Sequence, residues 1–227
     1  MKKPPRLHSD ERREAIVLAV KQVFAEKGFE GTTTKELAKA AGVSEALIFK
    51  HFPNKESLYD AMCDACAKGI DAAEFTRIMS LDPSTSTLVI LVHFLISKIA
   101  HDITGDAEIK HRLMARSILG DGDFARLMLE RVAGRVMPKF EECIKTANKT
   151  KDLNEIPIQS NLRFWFVHHL AVGLRLIDMP DRPAIDYKVA KESLIEQATW
   201  FALLGMGVKS EAIKRHYNPK ALSLLGK

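Results

Sequence analysis

Apolar residues recur at helical spacing along this chain, and nowhere do they alternate with polar ones over a useful length. Ile16, Ala19, Val20, Val23 and Phe24 draw one stripe. It predicts a first helix from Ser9, the expected cap, to Gly28, with Asp10 and Glu11 at its positive end. A short second helix is expected from Thr34, with Leu37, Ala38 and Ala41 inward, and a third from Ser44 to Phe52. The pattern resumes at Asn54 and runs towards Ile78. Beyond Asp82-Pro83, Gly and Pro breaks place helices near 84–102, 105–119, 122–149, 158–178, 185–208 and 209–217. The expected fold class is all-α: a three-helix head over residues 1–53 joined to a larger helical bundle over residues 54–227.

The joint between the second and third helices carries the most specific local signal. Thr33 and Glu36 form a Thr-x-x-Glu capping box, in which each side chain satisfies an orphan amide at the helix start. Gly42 ends that helix, because a tight turn needs positive φ and glycine has no Cβ to clash. Ser44 caps the third helix, and Val43 can staple onto Ile48. Pro53 disfavours a helical Phe52, and Asn54 caps the fourth helix. Two short helices joined through Ala41-Gly42-Val43-Ser44 have the spacing of a helix-turn-helix, whose second helix enters the major groove of DNA. With Leu37, Ala41 and Ile48 inward, its outward positions are Glu45, Ala46, Leu47, Phe49 and Lys50.

Charge points the same way. The chain carries a formal net charge of +5, and residues 1–55 hold 11 Lys or Arg against 7 Asp or Glu. The basic excess sits on the expected DNA reader, as phosphate neutralisation requires. No charge-free apolar run is long enough to span a bilayer. Asp10, Glu11, Arg12 and Arg13 occupy the place where a signal peptide needs an apolar core. Three cysteines make no disulfide framework, so a cytoplasmic protein is expected. The nucleophile elbow, the Walker loop, the dinucleotide fingerprint and the His-Glu-x-x-His motif are all missing, so neither catalysis nor a cofactor is expected.

Gly28-Phe29, the Thr33-Thr34 pair, Ala38, the Ala41 to Ser44 turn, His51-Phe52, Lys55 and Leu58 together resemble the DNA-binding domain of the TetR family of bacterial transcriptional regulators. The resemblance covers residues 9 to about 60. It implies phosphate contacts from Thr33, Thr34, His51 and Lys55, with base reading by Lys35, Glu45, Ala46 and Leu47. Phe49 departs from the pattern, since the family usually has a tyrosine there whose hydroxyl meets a phosphate. Lys50, or a basic arm at Lys2, Lys3 and Arg6, would offset that loss.

Residues 162–177 and 198–208 are apolar on nearly every side and therefore need cover on two sides. A homodimer through the helices near 158–178 and 185–208 supplies it, with Gly173, Gly205 and Gly207 permitting close approach. The resemblance implies the same dimer, a palindromic operator, repression by default, and release by a small-molecule effector. Leu88 to Ile99 forms an apolar wall beside which Met62, Cys66, Phe94, Met114, Trp165 and Phe166 can line a site for an apolar or aromatic effector. His93 is the polar group of that wall, and a satisfied core histidine is favoured there over a ligand contact. A rival is a metal or redox sensor built on Cys63 and Cys66 with His93, His111, His168 or His169. No metal site is expected from so isolated a Cys-x-x-Cys. A helical interaction protein that does not touch DNA is a further alternative, but it leaves the capped turn and the basic bias unexplained.

Overall fold

The computed structural model describes residues 8–68, 73–101 and 105–222, and among them every regular element is a helix. In chain order these are α1 (Ser9–Lys27), α2 (Thr34–Ala41), α3 (Glu45–His51), α4 (Lys55–Lys68), α5 (Ala73–Ser80), α6 (Thr85–His101), α7 (Gly105–Leu119), α8 (Asp123–Lys149), α9 (Ser160–Asp178), α10 (Lys191–Gly205), α11 (Ser210–His216) and α12 (Pro219–Leu222). Lys2, Lys3 and Arg6 of the expected basic arm lie outside the described residues. No helix among the described residues is long and apolar enough to cross a membrane.

The chain divides into two compact units, Met1–Ile70 with Gly105–Leu129, and Asp71–Thr104 with Glu130–Lys227. In the first unit α1 to α4 bury Ile16, Val20, Phe24, Leu37, Ile48, Phe52, Leu58 and Met62 almost completely. Each such side chain contributes about 1.5–3 kcal/mol over leaving it in water. Phe24 and Phe29 meet the Tyr59 ring with centroids 5.0 and 5.1 Å away. The chain returns to this core much later: α7 packs on α1, Leu113 and Phe124 enter the same cluster, and Arg116 donates to the Glu26 carbonyl at 2.6 Å.

The second unit is built round α6, whose Leu88, Val89, Leu91, Val92 and Ile96 are fully buried. Both α9 and α10 pack on α6, and Phe140 of α8 meets Phe164 of α9 edge-on at 5.6 Å. Asp152 pins three elements together. It accepts from Thr85 at 2.6 Å, Thr150 at 2.9 Å and Arg215 at 2.5 Å.

The observed elements differ from the sequence expectations in four places. Ser9 is the first residue of α1 and not its cap, because Glu11 reaches back to the His8 amide at 2.9 Å and moves the cap one residue earlier. The expected fourth helix is seen as α4 and α5, and residues 69–72 between them lie outside the described residues. Residues 185–190 are not helical: the Ala184 amide donates to the Ile177 carbonyl at 2.9 Å, and the Lys188 amide donates to Asp186 at 2.9 Å. Such local bonds offer the backbone an alternative to a helix. Gly207 serves its own chain, since at φ +91° a Cβ there would stand 2.9 Å from the Asn154 carbonyl oxygen.

Candidate nucleic-acid interface

The α2–α3 pair is set by interactions three or four residues long. Thr33 caps α2, donating its amide and its hydroxyl to the Glu36 carboxylate at 3.0 and 2.9 Å while its oxygen accepts the Glu36 amide at 3.4 Å. Lys27 completes an ion pair on that carboxylate. These partners, the Lys27 ammonium foremost, hold the Glu36 carboxyl down at about 2. Gly42 adopts the left-handed conformation, φ 64° and ψ 32°, and the Val43 amide donates to the Ala38 carbonyl at 3.0 Å. Ser44 then caps α3 by accepting the Leu47 amide at 3.2 Å. Phe52 is extended at φ −136°, as the following proline demands, and Asn54 caps α4 by accepting the Ser57 amide at 2.8 Å.

This frame turns one face of α3 outward. Ile48 is 1 % exposed, whereas Glu45, Ala46 and Lys50 are exposed and Phe49 retains 47 % of its surface. Leu47 and His51 are half-buried. Thr33 and Lys35 are exposed at the start of α2, with Thr34 half-buried beside them. Thr34, Lys35 and α3 therefore present one short patch of amides, cations and apolar surface to solvent. Phosphate and base-edge contacts both need such groups, the cations for charge and the apolar tips for thymine methyls.

Lys55 is placed differently from a solvated surface cation. Its ammonium donates to the Phe29 carbonyl at 2.9 Å and the Thr32 carbonyl at 3.1 Å, and lies 4.2 Å from the centre of the Phe29 ring. Two of its three N–H bonds thus tie α4 to the loop before α2. Arg13 does similar work for α3: its guanidinium donates to the His51 carbonyl at 2.8 Å and covers the Phe52 ring at 4.2 Å. Sequence reasoning missed Arg13. Its target is 38 residues away, and nothing in the local pattern marks it out from Arg12.

The expected effector residues fall in both units. Met62 and Cys66 are fully buried in the first unit's core, with Met114 packed against them. Phe94 and Trp165 pack on the second unit's core, and Phe166 is 53 % exposed. His93 is hydrogen-bonded within that unit, its Nδ1 lying 3.0 Å from the Tyr217 hydroxyl and 3.5 Å from Thr199 Oγ1. Burial lowers its pKa, so the neutral imidazole is favoured. The thiols do not favour a sensor. Cys63 and Cys66 are buried, the Cys66 Sγ lies 3.6 Å from Met62 Sδ, and desolvation pushes the Cys63 thiol up to about 12. Among the described residues no group of three or more His, Cys, Asp or Glu is placed to hold a metal ion.

Residues 16–62 match the family model of bacterial regulatory proteins, tetR family. The chain is 24% identical over 144 residues to the nucleoid occlusion factor SlmA of Marinomonas sp., covering 63% of this chain and 71% of that protein. It is 26% identical over 209 residues to the HTH-type transcriptional activator FasR of Mycolicibacterium smegmatis, covering 88% and 85%. Its fold is similar to that of AibR, solved in complex with isovaleryl coenzyme A and operator DNA, at a TM-score of 0.64 and 17% identity over 84% of this chain and 97% of that one.

Proposed function

From the match of residues 16–62 to the tetR family model, we propose that this chain is a transcriptional regulator of that family, which reads a palindromic operator as a homodimer and is released by a small effector with an apolar body. The DNA-reading domain is residues 1–53 and the ligand-binding and dimerisation domain residues 54–227. The observation that carries the DNA reading is the capped, outward-facing α3 with its exposed Glu45, Ala46, Phe49 and Lys50. Lys35 and Glu45 to Leu47 read bases, Thr33, Thr34, His51 and the third N–H of Lys55 hold phosphates, and Lys50 offsets the hydroxyl that Phe49 lacks. The protein works in the cytoplasm, where its operator is, and the family acts by binding and not by catalysis.

The dimer is supported by an exposed apolar stripe on each of two neighbouring helices. On α9, Leu162, Phe166 and Leu176 are 40 %, 53 % and 42 % exposed, with His169 and Gly173 continuing the same line. On α10, Phe201 and Leu204 are 71 % and 49 % exposed. The spacings of three and four residues are those of a helix seam, and a contiguous apolar face of this kind marks an association surface. Among the described residues beyond its own helix turn, nothing lies within 4 Å of a Cβ placed at Gly173 or at Gly205, which leaves both open to a partner.

The effector assignment draws on the apolar core around α6 and on the isovaleryl coenzyme A held by AibR. Phe94 and Trp165 pack on that core and, with His93 and Phe166 of the same unit, line the site, whereas Met62, Cys66 and Met114 belong to the core of the first unit. A mobility-shift titration on the DNA upstream of the chain's own coding region tests the reading. Retarded bands whose formation depends on dimer concentration support it. Indifference to sequence, or binding by a monomer, counts against it. Repression is tested by transcription from that promoter with and without the protein.

A further inference from the structure

We propose that Arg175 is an anion-binding group of the effector site, so that the effector carries a carboxylate or a phosphate on its apolar body. This rests on the effector-responsive reading above and deepens it.

Arg175 belongs to the inner face of α9, in line with Phe164, Val167, His168 and Ala171. It is 4 % exposed, and its Nε is buried with no hydrogen-bond partner among the described residues. The buried or half-buried carboxylates of this unit that form ion pairs do so with other cations. Asp178, less than one turn further along α9, pairs with Lys191 at 3.2 Å, Glu74 pairs with Lys98 at 2.9 Å, and Asp152 pairs with Arg215 at 2.5 Å. Other polar side chains in this unit have found partners: His93 meets Tyr217, and Thr199 donates to the Ile195 carbonyl at 2.7 Å. Among the described residues, Arg175 Nε is one of three buried side-chain polar atoms without a hydrogen-bond partner.

A buried guanidinium N–H without a partner is costly, and a methionine or leucine would fill the same place without that cost. Lysine in such a setting would shed its proton, whereas guanidinium keeps its charge and offers a planar fork matched to carboxylate or phosphate oxygens. An arriving anion would supply the missing partner. The surroundings suit the rest of such a molecule: α9 lies against the buried Leu, Val and Ile side chains of α6, and Ala171, one turn before Arg175, is the smallest side chain on the inner face. An apolar body is received there by the hydrophobic effect, and the anion is selected by Arg175 because a neutral head would leave the guanidinium unpaired.

The test compares three probes of equal chain length, octanoate, octanoyl-coenzyme A and octanol, by calorimetry on the full chain and on Arg175→Met and Arg175→Lys. At least one anionic probe should bind about tenfold or more tightly than octanol, and Arg175→Met should remove that difference. Preference for octanoate assigns a carboxylate, and preference for octanoyl-coenzyme A alone assigns a phosphate. Arg175→Lys should keep part of the preference at most. Without ligand, Arg175→Met should unfold at or above the wild-type midpoint, since it loses a buried N–H that has no partner. Anions that bind no better than octanol, a preference that survives in Arg175→Met, or an Arg175→Met chain that fails to fold would each overturn the assignment. Operator release separates the two readings. A chain released equally by octanol and octanoate keeps the regulator and loses the anion site, whereas one that binds octanoate through Arg175 but never binds operator does the reverse.

Discussion

Replacing Lys55 with methionine removes an ammonium and leaves most of the aliphatic stem, so it isolates what the charge does. Without DNA, that charge donates to two backbone carbonyls at 2.9 and 3.1 Å and sits 4.2 Å from the centre of the Phe29 ring. Because the side chain is half-buried, each charged hydrogen bond is taken at about 1.5 kcal/mol, the low end of its range. The cation–π contact adds about 0.5–1 kcal/mol. Freeing the side chain returns about 1–2 kcal/mol of rotamer entropy. The net loss is about 2 kcal/mol, a roughly thirtyfold change in the folded-to-unfolded ratio. Urea unfolding of the DNA-free protein, followed through the first unit, should show the midpoint fall by about 1 M. Binding measured across a salt series then gives the second half of the answer. If the remaining N–H bond reaches a phosphate, the slope of log K against log salt should flatten by about 0.9. Superimposable urea curves would refute the carbonyl clamp. A flattened slope without any loss of stability would return Lys55 to a purely phosphate-facing role.

The remaining predictions concern acid, assembly and sequence preference. Glu36 is held at about 2 against an ordinary 4.5, so its contribution to stability is complete above about pH 4.5 and is lost as pH falls towards 2. Glu36→Gln should therefore flatten the acid limb of the stability profile over that window, and parallel limbs for the two proteins would contradict the capping-box account. Phe201→Glu places a charge on the most exposed part of the α10 stripe and should yield a monomer by sedimentation; an unchanged dimer would remove α10 from the interface. Lys35→Ala should change the preferred operator in a selection experiment more than it changes the salt slope. A uniform weakening across sequences would recast Lys35 as a phosphate contact.

Much of the helix-turn-helix head was legible in the chain because its determinants are local. The Thr33–Glu36 box, the left-handed Gly42, the Ser44 cap and the extended Phe52 each involve residues within four positions, and each is found where the pattern put it. The Ser9 cap was misjudged by one residue because His8 and Glu11 offered a rival box. The helix expected over residues 185–208 began six residues late for a similar reason: the Ile177 carbonyl and the Asp186 side chain capture amides just before it. By contrast, the bonds that tie the helices of this unit to one another span long stretches of chain. Arg13 reaches His51, Lys55 reaches Phe29 and Thr32, and Arg116 reaches Glu26 across 90 residues. Each target is a backbone carbonyl, which carries no side-chain signature for a sequence pattern to reveal.

Helical period, caps and turn chemistry by themselves determined that this chain is a succession of helices with a helix-turn-helix near its start, because those forces act within one or two turns. Only the tertiary structure decided which apolar stripes face inward and which polar groups find partners. It sent Leu113 and Phe124 back to the first core, left Phe166 and Phe201 exposed, and buried Arg175 Nε without a hydrogen-bond partner among the described residues. Burial and pairing depend on residues brought together from distant parts of the chain, so periodicity can show that a helix has an apolar face without showing what that face meets.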